Sequence, residues 1–394
     1  MERRIMLYED TLMTTSTVLP FLNFTTDSIP NNSVNLAGNL TEPPASNTRI
    51  VVPVVFSLLV VIGSIGNGLV IYVLLRYGEK SVTNVYIMNL AVADLLFIII
   101  VLPVTAAYYA IPTWIFGDVV CRMSIYMVYV TLHATCLTLA AMTIDRYHAI
   151  VNPIDSMNWR TPKVSLFISI GVWAVSLSVS IPFLVYTSQI VDEVGDYQCS
   201  ENWPSLIVNK VATLIVILST YVLPLTVIVL CYARILHHLW RGMKHTRVPT
   251  SENEANGTVP LRSAAQLRRK RRVTRMVAAV ILLFAIFWLP IHVINMWYKW
   301  DPYFPKSEVL LMFKIFSHTL SYANSCVNPF VYAFLNDGFR KAFRKRCPRL
   351  GKLFGCVKKA KSDAATSMID KAVEARPGME ETHTEFSTQV TSFA

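Results

Sequence analysis

The sequence predicts an all-α membrane protein, a seven-transmembrane helix bundle with a short amphipathic eighth helix. The chain of 394 residues is 53% hydrophobic and only 15% charged, whereas soluble domains are about 25% charged. Long runs without charged side chains recur along it, and about 20 such residues are enough to cross a bilayer. Lysine and arginine concentrate in alternate connecting segments, which is the charge asymmetry of a multi-pass membrane protein.

The net charge of +11 does not indicate a nucleic-acid partner. A soluble nucleic-acid binder would not devote most of its length to runs too apolar to face water. We therefore interpret the basic side chains by location, as contacts to membrane lipids or to a cytosolic partner.

The apolar runs define seven spans, and no eighth follows them. Their approximate limits are 50–75, 84–110, 120–151, 164–186, 206–236, 273–298 and 308–334. The predicted domains are an extracellular glycosylated tail, the seven-helix domain, amphipathic helix 8 and a disordered cytosolic tail, at 1–48, 49–335, 336–347 and 348–394. The first tail lacks the apolar core of a signal peptide, so the first span would act as its own insertion signal.

Two signals orient the chain in the plasma membrane with its amino terminus outside. Lysine and arginine are most concentrated in segments that include 268–272 and 340–346, and the positive-inside rule assigns that side to the cytosol. Three glycosylation sequons fall on the opposite side, at Asn23, Asn31 and Asn39.

Small and polar residues in three spans indicate close helix packing and a buried polar cluster. Gly63, Gly66 and Gly68 in the first span would let a neighbouring helix approach closely. Asp94 in the second span lies at bilayer depth, and an intramembrane carboxylate is rare and by default functional. Oxygen donors recur at helical spacing in the seventh span, at Asn324, Ser325 and Asn328. Two interpretations stay open, a neutral aspartate that holds helices together and an ion site.

The third span starts near Cys121 and ends in Asp145-Arg146-Tyr147. A charge pair at a membrane face either locks itself shut or opens to a partner, because unpaired charge there is costly. The alternative is a stop-transfer flank with a snorkelling arginine. Cys121 and Cys199 lie on the oxidising side and can pair, whereas three cysteines within spans are most simply core residues, Cys136, Cys231 and Cys326.

Prolines interrupt several spans, among them Pro103, Pro182, Pro224, Pro290 and Pro329. Each removes a backbone hydrogen bond and can bend its helix into a hinge, although proline is common in membrane helices in any case. Pro290 differs because Phe284, Phe287 and Trp288 precede it, so movement at this hinge would displace an aromatic ring.

The cytosolic segments carry candidates for regulation. The basic run 268–275 continues into the sixth span, which indicates a helical extension that a partner or the lipid surface could contact. Cys347 and Cys356 follow the amphipathic segment and are either S-palmitoylation sites or plain reduced thiols. The Ser- and Thr-containing end, 382–392, is either a phosphorylation target or a passive tail.

Together these residues resemble the motifs of the rhodopsin-like G-protein-coupled receptors over residues 50–347. The matching positions are Asn67, Leu90-Ala91-Val92-Ala93-Asp94, Cys121, Asp145-Arg146-Tyr147, Trp173, Pro224, Phe284, Phe287-Trp288-Leu289-Pro290 and Asn328-Pro329-Phe330-Val331-Tyr332. One such motif would be weak, but all of them occur in the right spans and in the right order.

The resemblance implies a switch. Arg146 would be held by Asp145 at rest and released to a G protein, with Tyr232 and Tyr332 lining the opened cytosolic cleft. Trp288 and Phe284 would transmit ligand contact to the Pro290 hinge. It also implies an allosteric sodium pocket and a disulfide, formed respectively by Asp94, Thr135, Asn324, Ser325 and Asn328, and by Cys121 with Cys199. No other cofactor is expected.

Some positions depart from the family pattern. Lys270 stands where many members carry an acidic residue that clamps the arginine, although Thr274 could offer Arg146 a neutral hydrogen bond. Amine receptors carry an aspartate where this chain has Val128, and light-sensing members carry a lysine where it has Tyr322. Both of these classes are therefore disfavoured.

Finer matches are similar to the kisspeptin receptors, such as His133-Ala134-Thr135-Cys136 and Arg160-Thr161-Pro162-Lys163, and others, around Ser317-His318, to galanin and allatostatin-A receptors. The resemblance implies a non-enzymatic neuropeptide receptor that signals through a heterotrimeric G protein, by Gq, phospholipase C and calcium. Arrestin and receptor kinases would act on the phosphorylated tail. The alternatives are a Gi-coupled galanin- or somatostatin-like receptor and, more distantly, an ion transporter, although the chain shows no internal repeat.

The candidate ligand-binding residues are aromatic or neutral polar groups, Tyr129, Gln189, His292, Asn295, His318 and Tyr322. A cavity so lined suits an aromatic or amidated peptide end that needs no buried counter-charge. Acidic loop residues would attract a basic peptide stem from the rim, namely Asp192, Glu193, Glu201 and Glu308. Trp297 and Tyr298 belong either to this pocket or to the interfacial aromatic belt.

Overall fold

The computed structural model describes residues 45–78, 80–111, 113–191, 195–245, 259–305 and 307–335, and their side chains except at 45–47, 239–245 and 259–271. All described residues belong to one compact unit. Several sequence predictions lie outside this part of the chain, namely helix 8, both tails, the sequons at Asn23, Asn31 and Asn39, and the cysteines Cys347 and Cys356.

Within these ranges, seven long helices correspond to the seven predicted spans. They are α1 Ala45–Tyr77, α2 Val82–Ala110, α3 Gly117–Val151, α4 Pro162–Val179, α5 (Leu206–Ile217, Leu218–Val222 and Leu223–His245), α6 Val259–Trp300 and α7 Glu308–Leu335. Short helical turns follow α3 at Pro153–Ser156 and α4 at Ile181–Val185.

Among the described residues, six helices, α1 to α6, have the length and apolar composition needed to cross a membrane. The seventh, α7, has 28 residues, which at 1.5 Å per residue is also long enough. It is more polar because it carries the buried side chains Ser317, His318, Ser321, Asn324 and Asn328. The fold is a seven-transmembrane bundle, as the sequence predicts.

Hydroxyl side chains mark the starts of three helices. Ser81, Thr161 and Ser205 each accept a hydrogen bond from the backbone N–H three residues later. Such N-caps satisfy one of the backbone donors that a helix start leaves unpaired. They fix the first residues of α2, α4 and α5.

Prolines account for the irregular turns. π-helical turns at Phe97–Val101 in α2 and Leu218–Val222 in α5 directly precede the segments that carry Pro103 and Pro224. A proline lacks the N–H and crowds the preceding turn, and a wider π turn accommodates both effects. The fourth span was predicted as one run over 164–186, but Pro182 ends it: the helix stops at Val179 and a separate turn begins at Ile181.

Two corrections concern helix ends. The segment between the predicted fifth and sixth spans is shorter, because α5 continues to His245 and α6 already begins at Val259 and includes the extension predicted at 268–275. The first helix begins at Ala45 rather than at the predicted limit near residue 50. In both places the backbone groups stay satisfied within the helix, so the helix can continue past the apolar run.

Helix α3 lies in the middle of the bundle and contacts α2, α4, α5 and α6, while α1 packs on α2 and α7. Gly63 of α1 lies so close to its neighbours that an added Cβ would be 2.5 Å from Ile98 Cδ1 and 2.8 Å from Cys326 Sγ. Gly66 approaches Pro329 similarly, but Gly68 has no neighbouring atom within 4 Å. The predicted close approach thus depends on two of the three glycines.

A two-stranded antiparallel hairpin covers one end of the bundle, and no strand was predicted there. Strands β1 Thr187–Val191 and β2 Tyr197–Glu201 pair with Gln189 opposite Cys199. Cys199 is bonded to Cys121 at the start of α3, with the Cα atoms 5.5 Å apart. The expected disulfide is confirmed. We call this the hairpin end, and the opposite end, where α3 finishes, the Arg146 end.

Candidate functional site

At the Arg146 end, Asp145 is paired with two arginines. Arg146 donates to Asp145 Oδ2 from Nε at 3.0 Å and also from Nη2. Arg160, which immediately precedes the N-cap of α4, donates from Nε to Oδ1 at 2.6 Å and from Nη2 to Oδ2 at 3.2 Å. The Asp145 side chain is only 4% exposed. The sequence predicted the first pair and missed the second.

The other residues predicted for coupling are spread around this pair. The Tyr232 hydroxyl donates to the Thr274 carbonyl at 3.1 Å, which ties α5 to α6. Tyr332 is fully buried, and its hydroxyl has no hydrogen-bond partner within the described part of the chain. Tyr147 is half-buried with its ring edge-on to His148. The structure therefore does not present Tyr232 and Tyr332 together in an open cleft.

A buried polar cluster joins α1, α2 and α7 at mid-depth. Asn328 Nδ2 donates to Asp94 Oδ2 at 2.8 Å, and Asn67 Nδ2 donates to the carbonyls of Gly63 and Ser325 at 3.0 and 2.9 Å. The side-chain oxygens of Asn67, Asn324 and Asn328 have no hydrogen-bond partner among the described residues. Oxygen-rich surroundings of this kind fit a hard cation such as sodium. Thr135 is also buried.

Aromatic rings of α5 and α6 form a continuous column between mid-depth and the hairpin end. The Trp288 ring lies 5.9 Å from Phe284 and 5.8 Å from His292. Tyr221, from the π turn of α5, lies 4.9 Å from His292, and its hydroxyl donates to the Ala285 carbonyl at 2.8 Å. The column spans Pro290, so the rings that were predicted to link a ligand to the hinge contact one another across it.

Two narrow cavities open below the hairpin. One, of about 30 Å³, is lined by residues that include Tyr129, Trp288, His292, Asn295 and Lys299. The other, of about 20 Å³, lies beside Tyr322, Tyr108 and Trp114. The first has free hydrogen-bonding capacity, because His292 Nε2 and Asn295 Oδ1 find no partner in the described chain. Ligand pockets usually measure 300 Å³ or more, so a ligand would have to widen them.

The candidate ligand residues divide between these cavities. Tyr129, His292 and Asn295 share the first, and Tyr322 lines the second with His318 beside it, their rings 5.7 Å apart. Gln189 lines neither; its backbone N–H donates to Asp118 Oδ1 at 2.8 Å and so fixes the hairpin to α3. Trp297 is 42% exposed, as a belt residue would be, whereas the Tyr298 ring lies 4.9 Å from Lys314 Nζ.

The expected neutral cavity with acids on its rim is wrong in one respect. Glu201 is buried, and its carboxylate accepts hydrogen bonds from the Tyr129 hydroxyl at 3.1 Å and Trp203 Nε1 at 2.8 Å. Burial raises the pKa of Glu201, while the positive charge of Lys299 and the two hydrogen bonds oppose that shift. The hairpin folds this carboxylate inward, and sequence position alone could not show it.

Two buried lysines were also not predicted. Lys299 and Lys314 are both buried, at 8% and 3% exposure. Lys314 lies within the seventh span, whose neighbouring Leu, Met and Phe residues make the run apolar despite this one lysine. A single lysine in such a run is the signal that could have revealed it.

This arrangement of seven helices, a disulfide-anchored hairpin over a cavity and an aspartate–arginine pair at the opposite end defines a seven-transmembrane receptor. The chain belongs to the rhodopsin family of seven-transmembrane receptors, whose family model matches residues 66–332. Its relatives place it in the kisspeptin and galanin receptor group. Because the family consists of receptors, the chain is not an enzyme, and the ion-transporter alternative falls.

Several relatives are similar over most of their length. The chain is 38% identical to the KiSS-1 receptor of Homo sapiens over 318 residues, which cover 79% of this chain and 78% of that protein. It is 40% identical to the galanin receptor type 2 of Mus musculus over 303 residues, covering 76% and 77%. It is 37% identical to the G-protein coupled receptor 54 of Oreochromis niloticus over 307 residues, covering 76% and 79%.

Proposed function

We propose that this receptor binds a neuropeptide of the kisspeptin or galanin type at the hairpin end and activates a heterotrimeric G protein at the Arg146 end. The observation that carries the proposal is the aromatic column from His292 through Trp288 to Phe284 across Pro290. The column begins at the cavity in which His292 Nε2 and Asn295 Oδ1 have no partner among the described residues. It runs along α6, whose Arg146 end is bonded to Tyr232 through Thr274. The names of the relatives support a peptide ligand.

The cavity favours a particular peptide end. Tyr129 stacks on Phe183 with ring centroids 3.5 Å apart, and Phe183 meets Trp203 at 5.4 Å. Rings of a ligand could extend this stack, and an amide could pair with His292 Nε2 and Asn295 Oδ1. An aromatic, amidated carboxyl terminus supplies both groups.

The remaining assignments form part of the same proposal. The hairpin end faces outside the cell and the Arg146 end faces the cytosol of a plasma-membrane receptor. The G protein is Gq, with calcium release, and Gi is the alternative outcome. Asp94, Asn324, Ser325, Asn328 and Thr135 hold an allosteric sodium ion, which when bound would supply positive charge to the buried carboxylate.

The segments outside the described residues are included in this proposal. We propose glycosylation at Asn23, Asn31 and Asn39, palmitoylation at Cys347 and Cys356, and contact of the basic segments with membrane lipids. Arrestin and receptor kinases act on the phosphorylated tail, where clustered phosphates would create new acceptor charge.

The deciding experiment uses the full-length receptor in membranes. Kisspeptin and galanin peptides are added, each with a free and with an amidated carboxyl terminus, and nucleotide exchange is measured on purified Gq and Gi. We expect exchange on Gq with an amidated peptide. Exchange on Gi alone would change the assigned G protein from Gq to Gi. The absence of exchange with all peptides on both G proteins would overturn the proposed function.

A further inference from the structure

Asp145 has more positive charge around it than its pairing with Arg146 requires. Both arginines donate to the same oxygen, Oδ2, and Arg160 alone also reaches Oδ1. The three side chains carry one negative and two positive charges. The two guanidinium groups therefore compete for one carboxylate and repel each other.

Arg160 holds its position independently of Arg146. Its backbone N–H donates to the Ser156 carbonyl at 2.9 Å, and the buried Ser156 hydroxyl donates to the His148 carbonyl at 3.3 Å. The neighbouring Trp159 ring lies edge-on to His148, 5.0 Å away. These contacts fix the turn between α3 and α4, so Arg160 can remain beside Asp145 when Arg146 leaves.

Release of Arg146 would otherwise leave a buried carboxylate without a partner. Removing one partner of a buried charge pair is strongly unfavourable, because the other charge stays desolvated and unpaired. With Arg160 present, Asp145 retains bonds to both of its oxygens. Its interaction with Arg160 even strengthens, because Oδ2 is no longer shared and the repulsion between the arginines has ended.

We propose that Arg160 is a positioning residue that keeps Asp145 paired in the active state and so shifts the receptor toward activation. The inference rests on the proposed coupling of this receptor to a G protein. Both arginines pair with Asp145, but activation requires opposite behaviour of them: Arg146 must leave Asp145, and Arg160 must stay paired with it.

The test measures activation without any ligand. Purified full-length receptor in nanodiscs is titrated with nucleotide-free Gq and Gi, whose affinity reports the fraction of receptor in the active state. We expect Arg160→Gln to weaken binding of the G protein that the wild type binds by at least about fivefold, the lower end of allosteric coupling. Arg160→Lys, which restores the charge, should recover part of that loss.

Two further variants separate this role from a general effect on charge or folding. Lys163 lies three residues after Arg160, and its side chain is exposed. Lys163→Gln removes the same charge there and should leave the affinity for the G protein unchanged. In an Asp145→Asn background, which removes the shared carboxylate, Arg160→Gln should have no further effect.

Four results would contradict the proposed role of Arg160. Unchanged or stronger G-protein binding by Arg160→Gln, an equal loss in Lys163→Gln, or a full effect in the Asp145→Asn background would overturn the inference. A loss in Arg160→Gln that Arg160→Lys does not partly recover would overturn it as well, since that pattern indicates misfolding. If the wild type binds neither G protein, the proposed function itself fails and the inference falls with it.

Discussion

At the scale of single residues, the buried carboxylate of Glu201 ties the hairpin to α3 through Tyr129. Its charged form is disfavoured by burial and favoured by Lys299 and by its two hydrogen-bond donors. Burial is the largest of these effects, so the pKa of Glu201 is raised in the folded receptor. The strength of this tie should therefore depend on pH.

We predict that Glu201 makes the receptor more stable at acidic pH. A raised folded-state pKa means that its contribution is complete below the ordinary value of about 4.3 and is lost as pH rises through the raised value. The melting temperature of wild-type receptor in nanodiscs should fall over this range, and Glu201→Gln should remove that part of the slope. Glu308→Gln, at an exposed site, is the control; an identical slope in the wild type and Glu201→Gln would refute the assignment.

His292 and Asn295 offer the cavity atoms that a ligand can use. We predict that His292→Ala or Asn295→Ala raises the agonist concentration for half-maximal exchange by about 5- to 30-fold, because one hydrogen bond is lost. Surface expression should stay normal. Leu282→Ala, at an exposed position of the same helix (61% exposed) that lines neither cavity, should change nothing. Unchanged potency in both cavity variants would move the binding site to the loops and tail.

At the scale of helices, close packing in α1 depends on single glycines. We predict that Gly63→Leu lowers the free energy of unfolding by about 1–3 kcal/mol, as overpacking does, because its Cβ would lie 2.5 Å from Ile98 Cδ1. Gly68→Leu should be neutral, since no atom lies within 4 Å of that position. Thermal unfolding of the two purified variants compares them directly, and equal melting temperatures would contradict the packing argument.

The hairpin depends on the Cys121–Cys199 bond. These residues are 78 positions apart, and a bond across so long a loop stabilises the fold by about 4 kcal/mol in the chain-entropy account. We predict that Cys121→Ser with Cys199→Ser abolishes peptide binding and reduces surface expression, whereas Cys231→Ser, a half-buried free cysteine, does neither. Normal peptide affinity in the double variant would show that the hairpin holds its position without the bond.

At the scale of the whole molecule, the two ends should be separable by mutation. We predict that Arg146→Ala abolishes nucleotide exchange but keeps peptide affinity within the range of allosteric coupling, about 5- to 150-fold. Arg146 lies at the opposite end of α3 from the cavity, so it can affect the ligand only through the switch. Radioligand binding and exchange on the same membranes test this, and normal exchange would remove Arg146 from the coupling machinery.

Most of the fold follows from the sequence because each membrane helix must satisfy its own backbone, so its apolar run defines it locally. The Asp145–Arg146 pair was predictable for the same reason, since its members are adjacent. The partners that were missed meet over long separations: Arg160 reaches Asp145 only through the turn after α3, and Glu201 reaches Tyr129 only because the hairpin folds inward. Hydrophobic periodicity along a single segment does not predict either of these contacts, because each joins two different segments.

The polar character of α7 bears on how the receptor is made. Among the described residues, six helices are apolar enough to enter the bilayer by their own composition, but α7 carries buried polar side chains that include Asn324 and Asn328, and Asn328 donates to Asp94. During synthesis this last helix leaves the ribosome without a hydrocarbon-compatible surface at these side chains. For α7 to insert stably into the bilayer, α1 and α2 must already be in place to contact its polar side chains. Membrane insertion of α7 and closure of the bundle therefore become one step. Errors in α1 would first appear as failed insertion of α7.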